Sequence, residues 1–214
     1  MLTTRVIIPA VNVDSRSAEL HKVNEWALAN NLTLNLTKSQ EIIFTDQRRK
    51  TKFSLPDKIQ LLQRVQTIKI LGVTFTSSLS VTLHVQSVIA ACAQTLYALR
   101  VLRKHGLCDD SLRDIFRAVA VAKLMYASNA WWGFSNANDR QRIFAFIRRC
   151  IRTSFCSPDL ADFHDLYISS DEKLFDKIFT CPNHILRTLL HLLHKITVLE
   201  IDLTIDSYLT AFLE

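Results

Sequence analysis

The fold is decided in residues 67–104, which read TIKILGVTFTSSLSVTLHVQSVIAACAQTLYALRVLRK. Apolar residues recur with a period near two from Ile68 to Phe75, which predicts one strand. A short Ser/Thr-rich break follows, and Ser80 can cap a helix after it. The apolar residues of that helix fall on one stripe: Val81, Val85, Val88, Cys92, Leu96, Leu99 and Leu102. Residues 67–104 therefore join a mixed strand-and-helix segment to a helical one.

The predicted helix ends with cations in its last turn, Arg100, Arg103 and Lys104, and Gly106 lies just past it, as helix C-termini favour. No charged residue occurs from Ser77 to Leu99, but Ser, Thr, Gln and His side chains interrupt the apolar run at helical spacing. We therefore do not expect a membrane span.

The chain before this stretch predicts strands around one helix. Val6–Ile8 and Glu41–Thr45 are β-branched runs, and Ile59–Val65 is a third. Asp14-Ser15 can cap a helix that ends at Asn30-Asn31, because Asn tolerates the left-handed conformation. The basic residues between 48 and 52 are either a solvated hairpin tip or a phosphate contact.

The chain after this stretch predicts helices. One begins at Asp109 or Asp110 and runs toward Tyr126, and its apolar middle indicates a buried central helix. Trp131 and Trp132 follow it, either as core packing under a loop or as base-stacking residues. A Ser169 or Ser170 cap predicts a helix from Asp171 to Phe179, and Pro182-Asn183 predicts another to Leu193; we leave the tail after Lys195 unassigned.

The helix predicted from Asn138 to Phe155 carries an arginine stripe. At 100° per residue its apolar face holds Ile143, Ile147, Cys150 and Ser154. The arginines gather within about 120° on the other side: Arg142, Arg148, Arg149 and Arg152. Guanidinium groups match phosphate oxygens, so this stripe is either a nucleic-acid contact or a solvated bundle face.

Composition narrows the chemistry. The 214 residues can bury a sizeable core, and a formal charge of +6 suits a polyanionic partner. The five scattered cysteines indicate reduced intracellular thiols, and three glycines are too few for a phosphate-cradling loop.

A zinc site is suggested by four residues near the C-terminus: Cys181, His184, His191 and His194. If His184 to His194 is one helix, however, its end histidines are separated by roughly 15 Å, too far to bind one ion. Asp109-Asp110 is explained by helix capping without a two-metal site.

Short motifs occur along the chain in a definite order. The first group is Ile7–Ala10, Glu25–Ala27, Asn30–Asn35, Lys38-Ser39 and Ile70–Val73. The second group is Leu96–Arg100, Ala122–Ser128, Ala130–Phe134 and Asp139–Arg142. In this order and spacing they resemble the end of the palm and the thumb of reverse transcriptases of LINE-type non-LTR retrotransposons, over about residues 5 to 190.

The resemblance implies roles for individual residues. Lys38 would assist the leaving pyrophosphate, and the primer grip would be Ile70, Leu71, Gly72 and Val73. The three helices from Ser80 to Phe155 would form the thumb that closes over the template-primer duplex. Its backbone contacts would come from Arg100, Arg103, Lys104, Arg142, Arg148, Arg149 and Arg152.

The catalytic aspartates of that family are absent. Aligned on Ile7-Ile8-Pro9, they would fall at about Leu2 and Thr3, so the Mg of the parent family would have no ligands here. By the same resemblance we expect the fingers and the rest of the palm to be missing upstream, and the family's continuation to be lost from about His194. We expect a remnant that is not an enzyme as it stands and is less stable in its N-terminal third, where the sheet would lack strands.

The sequence thus predicts an α+β, predominantly α fold: a partial antiparallel palm sheet with one helix (1–76), a three-helix thumb-like bundle (77–156) and a helical extension (157–214). The implied partner is RNA or an RNA–DNA hybrid, inside the cell in nucleus or cytoplasm. We expect no cofactor, no membrane partner and no small-molecule substrate, and the sequence does not indicate an oligomeric state.

A second hypothesis is a helical protein-interaction module without a nucleic-acid role. Its third-helix region would be classed with the small N-terminal helical domain of AlkB-type DNA-repair homologues. The iron ligands that dioxygenase chemistry requires, two His and one Asp, are not recognisable in this sequence.

Overall fold

The structure is a computed structural model that describes residues 15–45, 55–59, 62–156 and 163–187. Within these ranges the chain is mostly helical with two small two-stranded sheets. The predicted α+β, predominantly α class is confirmed at this level. Leu2 and Thr3, the strand Val6–Ile8, the basic loop at 48–52 and residues from 188 onward lie outside the described residues.

The elements follow one another in chain order. They are α1 (Arg16–Ala29), a 3₁₀ turn (Leu36–Lys38), β1 (Gln40–Ile42), β2 (Gln63–Val65), β3 (Thr67–Ile70), β4 (Val73–Thr76), α2 (Thr82–Lys104), α3 (Asp109–Ile115), a π-helical segment (Phe116–Val121), α4 (Ala122–Met125), α5 (Ser128–Trp131), a 3₁₀ turn (Trp132–Phe134), α6 (Ala137–Arg152) and α7 (Phe163–Thr180).

The chain divides into two compact units by its internal contacts. The first unit comprises Met1–Glu41, Phe53–Arg64 and Leu174–Glu214, and the second comprises Ile42–Lys52 and Val65–Lys173. The β3–β4 hairpin thus belongs to the same unit as helices α2 to α6.

In the first unit, α1 ends as predicted. Asn30 is the C-cap residue, and Asn31 takes the left-handed conformation with φ +56°. An ionic cluster holds α1 to the strand residue Glu41, whose carboxylate accepts from Arg16 at 3.1 Å and from Arg64 at 2.8 Å. Both arginines also donate to the carbonyl of Asp57.

In the second unit, the stretch Ile68–Phe75 is a hairpin, so the prediction of one strand is wrong. β3 and β4 pair antiparallel, with Ile70 opposite Val73. The two residues between them have positive φ, +46° at Leu71 and +90° at Gly72. Positive φ at both central residues is the geometry of a type I′ turn, whose twist matches that of the flanking strands.

Helix α2 confirms the helix predicted in the second half of residues 67–104. Its buried residues are His84, Val85, Cys92, Leu96 and Leu99. Val81 rather than Ser80 holds the N-cap position, and Gly106 follows the last turn with φ +89°. Leu102, predicted on the apolar stripe, is exposed. Among the described helices α2 alone has the length and hydropathy of a membrane span, a test that buried core helices also pass.

Helices α2 and α6 run side by side in the same direction. At their N-terminal ends the Thr82 hydroxyl donates to Asp139 Oδ2 at 2.8 Å. At their C-terminal ends Arg103 Nη1 donates to the carbonyl of Thr153 at 2.8 Å. Their C-terminal halves therefore expose side chains on neighbouring ridges.

The helix predicted to be the buried central helix is buried on one side only. Leu112, Phe116, Ala120 and Leu124 are buried at four-residue intervals, whereas Val119 is exposed. A strict four-residue interval drifts around an α-helix, and the wider π-helical turn at Phe116–Val121 offsets that drift. The Cys92 thiol of α2 donates to the carbonyl of Ala120 in this segment.

Helix α7 corrects a predicted boundary. It begins at Phe163, so Ser169 and Ser170 lie inside it and cap nothing. Ser170 donates instead to Asn129 Oδ1 at 3.0 Å, and Asn129 donates to Asp171 at 2.7 Å. These bonds tie the first half of α7 to the segment after α4.

Candidate nucleic-acid interface

The arginine stripe of α6 forms as the helical geometry predicts. The buried face holds Asp139, Ile143, Phe146, Ile147 and Cys150. On the other side Arg148, Arg149 and Arg152 are exposed and Arg142 is half-buried. The helix ends at Arg152, so Ser154, predicted on the apolar face, lies beyond it with φ +58° and is exposed. Within the described residues none of the four arginines makes an ion pair.

The C-terminal end of α2 contributes two exposed cations to this surface, whereas a third is held in contacts within the protein. Arg100 and Lys104 are exposed and have no ion-pair partner among the described side chains. Arg103 is held within the protein: it pairs with Asp109 at 3.1 Å and stacks over the Phe155 ring at 3.9 Å. Its guanidinium therefore joins the ends of α2, α3 and α6 and is not free to bind a ligand.

One arginine of each helix lies close enough to Cys150 to act on its thiol. Burial, helped by the neighbouring thiols Cys156 and Cys92, raises the pKa of Cys150 to about 12, and the positive charges of Arg149 and Arg100 oppose that rise. Both arginines are therefore close to the same point of the α2–α6 boundary. Of the eight cations of these two helices, Arg103 is engaged as described and Arg140 lies over the Trp132 ring. We call the other six the basic face: Arg100, Lys104, Arg142, Arg148, Arg149 and Arg152.

The basic face carries no carboxylate of its own helices. Helix α2 contains no Asp or Glu, and Asp139, the one acidic residue of α6, has 0% of its surface exposed. No acidic side chain exposed on α2 or α6 therefore weakens the positive potential of the cations. The arrangement can attract an anionic chain and contact several of its phosphates.

Sequence reasoning missed Tyr97 as a member of this surface. Its side chain is 69% exposed on α2. Arg100 and Lys104 follow it at i+3 and i+7, which places all three on one side of the helix. That spacing was readable from the sequence.

The residues predicted as the primer grip form the tip of the β3–β4 hairpin. Leu71 is 71% exposed, whereas Val73 is buried. The Tyr126 hydroxyl donates to the Leu71 carbonyl at 3.0 Å, and its ring lies against Gly72. Trp131 Nε1 holds the carbonyl of Tyr126 at 3.0 Å, so the hairpin tip is fixed to the helical core.

Lys38 belongs to the first unit. It closes the 3₁₀ turn Leu36–Lys38, and its side chain is exposed. Asn35 caps that turn by accepting from the Lys38 amide.

The structure also tests the predictions for the two tryptophans and the two adjacent aspartates. Trp131 and Trp132 are buried, which confirms core packing. Asp109 and Asp110 lie in the first turn of α3, where Cys108 is the N-cap residue, so the capping prediction is wrong. They pair instead with Arg103 and Arg113.

No metal site forms in the described part of the chain, where no three His, Cys, Asp or Glu side chains converge. Of the residues weighed for zinc, Cys181 is exposed and His184 half-buried. His191 and His194 lie outside the described residues.

In comparisons of this chain with protein-family models, with curated proteins and with solved structures, nothing matched.

Proposed function

We propose that the second unit binds template-primer nucleic acid through the basic face, as the thumb of a retrotransposon reverse transcriptase would, and that this chain by itself has no polymerase activity. One observation carries the proposal: α2 and α6 together present the six cations of the basic face, and neither helix has an exposed acidic residue. Arginine forks on neighbouring helical turns suit the repeated phosphates of a nucleic-acid backbone.

The proposal that the chain has no polymerase activity rests on its aspartates. Two-metal phosphoryl transfer needs carboxylates that converge on two ions about 4 Å apart. The adjacent aspartates of this sequence, Asp109 and Asp110, are each turned to an arginine instead. Primer extension with Mg or Mn tests this part, and template-directed incorporation by the purified chain would refute it.

Salt-dependent binding tests the main proposal. The affinity of the full chain for a labelled RNA–DNA hybrid should fall steeply between about 50 and 200 mM salt, because bound phosphates release counterions. The triple variant R148Q/R149Q/R152Q should lower the slope of log K against log salt by about 2 to 3, at about 0.7 to 0.9 per lost phosphate contact.

A control variant that loses the same number of positive charges elsewhere shows whether the basic face or the net charge of the chain sets the slope. R113Q/K123Q/K173Q removes three cations from helices α3, α4 and α7 and should leave the slope within error of the unchanged chain. Absence of binding at low salt would reject the proposal and leave the second hypothesis, a helical protein-interaction module. Equal slopes in both variants would mean that only net charge acts.

A further inference from the structure

The exposed ring of Tyr97 stands among cations without a partner of its own. Its hydroxyl makes no hydrogen bond and its ring no aromatic contact to the residues that the structure describes. The other exposed aromatic side chains among the described residues of the second unit differ in this respect. Tyr126 is bonded to Leu71, and Phe134 packs edge-on against Phe75.

The surroundings of Tyr97 on α2 leave the ring open. On the side of Arg100 the residue one turn before it is Ala93, and Ala90 lies one turn further back; Gln94 at i−3 and Val101 at i+4 lie on the other side of the ring, which remains 69% exposed. Alanine side chains are too short to cover an aromatic ring. A planar group could therefore reach a face of the Tyr97 ring while its charged part meets Arg100 or Lys104.

Nucleic acid offers that combination of a planar group and an anion. We propose, resting on the function proposed above, that Tyr97 stacks on an unpaired base of the bound strand and makes the basic face prefer nucleic acid with unpaired bases over a closed duplex. The bases inside a continuous duplex already stack on each other and present no free face. An unpaired base has a free face, and stacking on an aromatic side chain is tolerant of base identity.

Two ligands of equal phosphate number test the preference: a single-stranded RNA, and an RNA–DNA hybrid whose two ends are closed by linkers that contain no nucleotides, so that it has no unpaired base. Fluorescence anisotropy with the full chain should give tighter binding to the single strand. Y97A should weaken single-strand binding by about tenfold, within the range measured for one base–aromatic stack. It should change binding to the closed hybrid less than twofold.

The variants keep the test independent of folding and of charge. Tyr97 is exposed, and Ala is the better helix former, so Y97A should fold. Y97F keeps the ring and should bind like the unchanged chain. Because Y97A removes no charge, the salt slope should stay the same, in contrast to R148Q/R149Q/R152Q.

The outcomes separate this inference from the function beneath it. Salt-dependent binding that Y97A leaves unchanged, or weakens equally for both ligands, would reject the stacking role and retain the basic face. Failure of the unchanged chain to bind either ligand at low salt would reject both.

Discussion

At the scale of single residues, the turn at Leu71-Gly72 depends on one glycine. Gly72 has φ +90°, and a Cβ there would lie 3.1 Å from Tyr126 Cε1. Gly72→Ala should therefore lower the free energy of unfolding by about 2 kcal/mol, through backbone strain and a displaced ring. Urea unfolding followed by the fluorescence of the buried Trp131 and Trp132 measures this.

Gly106→Ala is the matched control for that substitution. Its φ is +89°, but a Cβ would meet nothing within 4 Å, so the backbone strain alone should cost about 1 kcal/mol. Equal losses for the two variants would show that the contact with Tyr126 contributes nothing.

We expect His84 to make the stability of the second unit depend on pH. It is buried edge-on against Trp131, and burial, together with the nearby charge of Lys69, lowers its pKa from 6.5. Below pH 6.5 the unfolded chain takes up the proton before the folded chain does. This part of the stability is therefore complete above pH 6.5 and is lost as the pH falls from there toward the lowered folded pKa, at no more than about 1.4 kcal/mol per pH unit.

The comparison of the chain with His84→Phe isolates this group. Unfolding free energies from pH 8 to pH 5.5 should diverge below pH 6.5, with the variant losing less stability on acidification. Parallel curves would mean that His84 is protonated as easily in the folded chain as in the unfolded one.

At the scale of elements, Thr82 fastens the start of α2 to the start of α6. Its hydroxyl is the donor to the buried Asp139, whose other oxygen has no hydrogen-bond partner within the described residues. Thr82→Val keeps the shape and removes the donor, which should cost about 2 to 3 kcal/mol because a buried carboxylate loses its bond. Thr82→Ser keeps the hydroxyl and should cost under about 1 kcal/mol in the same urea experiment. Similar losses for both would assign the effect to the lost methyl packing.

The elements also show what the sequence could predict. Apolar periodicity placed α1, α2 and α6 within a few residues, and the 100° rule placed Arg148, Arg149 and Arg152 on one exposed side, because these features depend on local spacing alone. The hairpin was missed since Leu rarely adopts positive φ and Leu-Gly is not an Asn-Gly type of turn signal. The engagement of Arg103 depends on Asp109 and Thr153, a tertiary contact that no local pattern announces.

At the scale of the whole molecule, the two units differ in what stabilises them. The second unit has one contiguous apolar core that runs from Val73 in β4 to Phe163 in α7. In the first unit Ala27 is the only buried residue of α1, and the ionic cluster around Glu41 holds the helix to the strand. Apolar burial contributes far more than partly exposed ion pairs.

Local stability should follow this difference. We expect the amides of α1 to exchange with solvent deuterium faster than those of α2 and α6 by native-state hydrogen exchange, because sparse burial lowers the free energy of local opening. Glu41→Gln removes the anion shared by Arg16 and Arg64 and should speed exchange in α1 further, while the rates in α6 stay unchanged. If α1 were as well protected as α6, or if Glu41→Gln sped exchange in α6 as much as in α1, the ionic cluster would not be what limits the stability of the first unit.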